Sequence, residues 1–158
     1  MMLMRLLLAF SLLGVLAVAC GGGGDGDGRA LTLEEYMQRM AEINADADRR
    51  LEGVSAGDPS AEEGGRAYVR VLDDAKEKYR NETPPLLVEA AHDEVREAVD
   101  EFGDALDEAA DNAVEGARLS DLLAQAGVVS AEERLNSALC AVQQIADDNQ
   151  IVADVGCY

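Results

Sequence analysis

Thr83-Pro84-Pro85-Leu86-Leu87-Val88-Glu89-Ala90-Ala91-His92-Asp93-Glu94-Val95-Arg96-Glu97-Ala98-Val99-Asp100-Glu101-Phe102 is the stretch on which the fold turns. Thr83 can cap a helix, and proline in a first helical turn gives up only an N–H that has no partner there. Leu87, Ala91, Val95, Ala98, Phe102, Leu106, Ala109 and Ala113 recur at three- and four-residue spacing. That period makes one apolar face and predicts a long helix reaching about Glu115. Asp93-Glu94, Asp100-Glu101, Asp104 and Asp107-Glu108 fall on the opposite, solvated face.

Outward from this helix the same pattern repeats. Downstream, a short helical piece is expected from Leu119 to Ala126, ended by Gly127, and Ser130 with Glu133 offers a capping box. The helix it opens carries Leu135, Leu139, Val142 and Ala146 on one face. Ile151 to Tyr158 lacks a helical period and reads as an extended tail. Upstream, Thr32 and Glu35 form a capping box, with Leu31 poised to staple to Tyr36. Tyr36, Met40, Ile43, Ala47, Leu51 and Val54 make the stripe of a first helix, stopped by Gly57-Asp58-Pro59. Ser60 and Glu63 suggest a further box. Gly64-Gly65 weakens that start by about 1 kcal/mol per glycine, so the second helix, with Tyr68, Leu72, Ala75 and Tyr79, is expected to be shorter. Four amphipathic helices that cannot bury their stripes alone predict an all-α fold over residues 31–158. The expected form is an antiparallel four-helix bundle with a disulfide-tied extended C-terminal tail.

The first thirty residues read as an address. Met1-Met2-Leu3-Met4-Arg5 is a short basic leader start, and Leu6 to Ala19 is an apolar run of signal-peptide length. Leu16-Ala17-Val18-Ala19-Cys20 places small residues before a cysteine, as lipoprotein processing requires. Ala17 holds the position where the pattern usually has Leu, with Leu16 one step earlier. The expected organisation is a signal peptide over 1–19, a lipidated Cys20 with a Gly/Asp tether over 20–30, and the helical domain beyond. Acyl chains on Cys20 would anchor the chain to the membrane, each buried methylene adding about 0.8 kcal/mol. The localisation that follows is extracytoplasmic, at the cell envelope.

The 158-residue chain has a formal net charge of −19, and loss of Arg5 with the leader makes it one unit more negative. Nucleic acid is excluded as a partner, because phosphate binding needs basic patches. Anionic headgroups are disfavoured and cationic proteins or ligands are favoured. With Cys20 acylated, Cys140 and Cys157 remain as an even pair outside the cytoplasm, which reads as a disulfide worth about 3 kcal/mol in the chain-entropy model. At about 100° per residue, Cys140 points away from its helix's stripe. The tail is therefore expected over the outer face of that helix, with Ile151, Val152 and Val155 laid on it. Metal ligation by the two thiols lacks a third ligand and a CxxC spacing.

His92 is the single histidine. Glu89-x-x-His92 has the spacing of half a ferritin-like carboxylate metal site, but Glu35, Glu42 and Glu63 sit at caps or on polar faces and Glu89 lies off the stripe. A His hydrogen-bonded between helices is the reading preferred over a metal ligand, and no cofactor is expected. Met37 and Met40 belong to a core stripe. A Ser-His-Asp triad would rest on His92 without a nucleophile elbow, and no GxGxxG, P-loop or CxxCH occurs. The expectation is a non-enzymatic binding module, with a small-ligand or metal site near His92 as the second reading.

Several stretches together carry a resemblance. They are the lipobox with its glycine tether, Leu31-Thr32-Leu33-Glu34-Glu35-Tyr36, Thr83-Pro84-Pro85 with His92, and Cys140-Ala141-Val142-Gln143-Gln144-Ile145-Ala146-Asp147-Asp148-Asn149 leading to Cys157. The chain resembles small helical lipoproteins of Chloroflexota and related bacteria. The resemblance implies the architecture and the address, and no activity.

Overall fold

The structure, a computed structural model, describes residues 31–158. The expected signal peptide, lipidated Cys20 and tether lie outside the described residues. The fold is an all-helical bundle: α1 Leu33–Ala56, α2 Ala61–Asn81, α3 Glu89–Asp111, α4 Leu119–Leu123 and α5 Ala126–Asp148. Among the described residues there is no strand, only a single bridge between Ser60 and Arg118. None of their helices is long and apolar enough to cross a membrane.

Local chemistry sets the first two helices. Thr32 Oγ1 accepts from the Glu35 amide at 3.2 Å, and Glu35 returns a carboxylate to the Thr32 amide at 2.9 Å, so two otherwise unpaired amides are satisfied. The α1 stripe then buries Tyr36, Met37, Met40, Ile43 and Ala47. Ser60 Oγ accepts from the Glu63 amide at 3.3 Å and opens α2. α2 packs on α1, α3 and α4, while α3 packs on α2 and α5. Ala61 N donates to Ala117 O at 2.9 Å and Leu119 N to Pro59 O at 3.0 Å, tying the α1–α2 corner to the loop before α4.

α2, with 21 residues, is shorter than α1, with 24, as expected, but its glycines do not delay its start at Ala61. A Cβ on Gly64 would lie 2.9 Å from Leu119 Cβ and from Pro59 Cγ, and one on Gly65 would lie 2.9 Å from Ala110 Cβ. The pair lets α4 and the end of α3 approach the α2 backbone, and that burial offsets the helix-propensity penalty.

Three elements depart from the sequence expectations. Thr83 does not cap α3. Each residue before a proline is pushed out of the helical region, so the helix begins only at Glu89 with Val88 as N-cap. Val88 is fully buried, whereas Leu87 is 61 % exposed and Leu86 89 %. The helix ends at Asp111 rather than near Glu115, with Asn112 as C-cap. The last helix starts at Ala126, so Gly127 lies in its first turn instead of ending α4 and Ser130 lies inside it. Burying Val128 against the core is what draws that turn in.

The third element is the tail. Cys140 and Cys157 form a disulfide, with Cα atoms 4.7 Å apart. The tail does not lie on the outer face of α5. It enters the seam between α1 and α5, where Val155 is fully buried and Val152 is fully exposed. Gln143 on α5 donates to Ala153 O and accepts from Val155 N, at 2.9 and 3.0 Å. Asn44 on α1 donates to Val155 O at 2.7 Å. The seam is filled by chain rather than by helix-to-helix contact, because unpaired tail amides find side-chain partners on both sides of it.

Candidate functional site

Two features converge on the middle of the bundle. The first is a buried polar chain. His92 on α3 is 3 % exposed, and its Nδ1 lies 3.1 Å from Tyr36 Oη on α1. The ring of Tyr79 on α2 meets the same imidazole in a T-shaped contact, ring centroids 6.5 Å apart. Tyr79 Oη donates to Asn44 Oδ1, and Asn44 passes the network on to the tail at Val155. Four elements therefore share one run of side-chain hydrogen bonds and ring contacts inside the core.

Every titratable member of this chain is held neutral. Burial pushes the phenols of Tyr36 and Tyr79 well above the usual tyrosine range, with Glu82 and Asp48 adding to the effect on each in turn. Burial also holds the His92 imidazole below its ordinary value, helped by the Arg96 guanidinium and opposed by Asp93. Glu89, the other half of the metal-like spacing, is exposed. It does not join His92 in the core, and among the described residues no group of three His, Cys, Asp or Glu gathers around a common point.

His92 gives the protein a defined acid response. An imidazole kept neutral in the folded chain but free to protonate in the unfolded chain favours unfolding in acid. Its contribution is complete above pH 6.5, the unfolded value, and is lost as pH falls below it toward the depressed folded value. A single group gives at most about 1.4 kcal/mol per pH unit. Asp46, lowered by hydrogen bonds from Lys78 and Arg49, acts only from its ordinary 3.8 downward. The urea midpoint is thus expected to fall between pH 6.5 and 5, and His92→Gln to flatten that slope. A native chain with a level midpoint over this window would overturn the assignment.

The second feature is a partly enclosed cleft of about 280 Å³ between α1, α2, α3, α5 and the tail. Leu51, Leu72, Val99, Phe102, Leu135 and Leu139 supply apolar wall. Tyr79 and Asn44 line it from the buried network. Asp48, Glu132 and Glu133 line it with carboxylates. The tail builds one side: Asn136 holds the Tyr158 amide and carbonyl at 2.9 and 2.7 Å. Tyr158 Oη donates to Asp48 at 2.5 Å, and that carboxylate raises the Tyr158 phenol to about 12. Gly156 has φ +81°, with Asn44 beside it, a conformation that lets the tail bend from the seam to this wall.

His92 does not line the cleft; Tyr79 separates the two. Sequence reading gave a site near His92 only as its second reading and passed over Asn44. The available signal was a polar residue four positions after Met40 and three before Ala47, on an otherwise apolar stripe. The cleft itself has no local signature, because its walls come from four helices and the tail. Comparison with protein-family models, with curated proteins and with solved structures gives no match to this chain.

Proposed function

We propose that this chain is a lipid-anchored extracytoplasmic binding protein, without enzymatic activity, that presents an acidic helical domain beyond a Gly/Asp tether. α1, α2, α3 and α5 form an antiparallel four-helix bundle, consistent with the short connections from α1 to α2 and from α2 to α3, and with the packing of α2 on α1 and α3, and of α5 on α3. The reading extends the resemblance to small helical lipoproteins, with acylated Cys20 as the membrane anchor and a cationic protein or ligand as partner.

The observation that carries it is the Cys140–Cys157 disulfide. Such bonds persist in oxidising compartments, and pairing these two leaves Cys20, behind an apolar leader, as the only other cysteine in the chain. The engaged, buried state of His92 also suits binding better than proton transfer to a solvent-borne substrate.

Growth with labelled palmitate tests the anchor. The native chain is expected to take up label and to sediment with membranes, and Cys20→Ser to lose both. An unlabelled native chain, or label retained by Cys20→Ser, would overturn the reading.

A further inference from the structure

Apolar walls with a few convergent polar groups are the usual form of a small-molecule site, and 280 Å³ is just below the range of about 300–1,000 Å³ for drug-sized ligands. The space suits a body of one ring or a short alkyl chain. The charge around it has one sign. Asp48 comes from α1, and Glu132 and Glu133 from α5, while no Lys, Arg or His lines the cleft among the described residues. Carboxylates beside a low-dielectric wall concentrate cations and repel anions. Tyr158 adds a ring at the same place, and an ammonium is attracted to an aromatic face.

We infer that the cleft binds a small amphiphilic organic cation, an aryl- or alkylammonium. Its apolar body lies against Leu72, Val99 and Phe102, and its ammonium is drawn by the combined field of Asp48, Glu132 and Glu133, which line the cleft without converging on one point. The inference rests on the binding-protein reading and names its ligand class. A neutral molecule of the same shape gains the walls but not the carboxylates. An anion meets repulsion from all three.

Isothermal titration of the full chain in phosphatidylcholine vesicles, with protein-free vesicles subtracted, compares phenylbutylamine, phenylbutanol and phenylbutyrate. The amine is expected to bind about tenfold more tightly than the alcohol, with the acid undetected. The triple variant Asp48→Asn, Glu132→Gln, Glu133→Gln is expected to bring the amine down to the alcohol's affinity. Salt at about 1 M, where the screening length is about 3 Å, should likewise erase the amine's preference in the native chain. That arm decides the matter if the variant loses its helical circular dichroism. An undetected amine, an amine no tighter than the alcohol, or a preference that survives both salt and a folded variant would overturn the inference. The titration reads binding with or without acylation. Amine binding by a chain that takes no palmitate removes the anchor and leaves the site, whereas a labelled chain that ignores the amine removes the site and leaves the anchor.

Discussion

Replacing Cys140 and Cys157 together by serine is expected to destabilise the protein by about 3 kcal/mol and to lower its thermal midpoint by roughly 10 °C. The cross-link joins residues 17 positions apart, and its loss returns the entropy of that loop to the unfolded chain. A folded-state consequence follows as well. Val155 is buried in the seam between α1 and α5, held by Asn44 and Gln143, and the disulfide stands two residues beyond it. Without the cross-link these few hydrogen bonds must hold the tail against its own chain entropy, at about 1 kcal/mol each. The tail should become sensitive to protease at Val152, and phenylbutylamine affinity should fall with it, because Gly156 and Tyr158 form one wall of the cleft. Thermal melts followed by circular dichroism give the first quantity. A midpoint within about 2 °C of the native one would show that the tail docks without its cross-link.

Gly65→Val is expected to destabilise by about 2–3 kcal/mol, and Gly103→Ala to stabilise by about 0.5–1 kcal/mol. Both glycines lie inside helices, so propensity alone predicts a gain at each when a Cβ is added. Position 103 has nothing within 4 Å of the added atom and should follow propensity. Position 65 meets Ala110 Cβ at 2.9 Å and Leu122 Cδ1 at 3.0 Å. Leu122 can rotate, but Ala110 Cβ is fixed to the backbone of α3, so relief requires moving a helix. Valine adds two further carbons into the same gap. Urea denaturation of the two variants against the native chain checks the pair. Equal stabilisation at both positions would refute close helix approach at Gly65.

The contrast between the two glycines shows how much of this protein is legible locally. Helices over Tyr36–Val54, Tyr68–Tyr79, Ala91–Ala109 and Leu135–Ala146 follow from the apolar period. The Thr32–Glu35 box follows from side chains within one turn of the atoms they satisfy. The Cys140–Cys157 pairing is the one expected from the cysteine count once Cys20 is read as acylated. His92 as a hydrogen-bonded residue between helices could be read from its flank of the stripe, although its partner, Tyr36, stands 56 residues away and no local spacing names it.

Element ends and the site belong to the tertiary structure. The choice of Val88 over Leu87 depends on a proline pair that delays the helix and on which residue then faces the core. The early start of α5 depends on a place in the core for Val128. The descent of the tail into a seam, rather than over a surface, depends on amide partners offered jointly by Asn44 and Gln143. Asp48, Glu132 and Glu133 come from helices far apart in sequence, and nothing in their local pattern distinguishes them from the solvated acids around them. Periodicity, the caps at Thr32 and Ser60 and cysteine pairing are short-range or compositional physics, and the sequence by itself determined what they govern. The cleft is what remains between helices once their packing distances are set, and only the tertiary structure decided it.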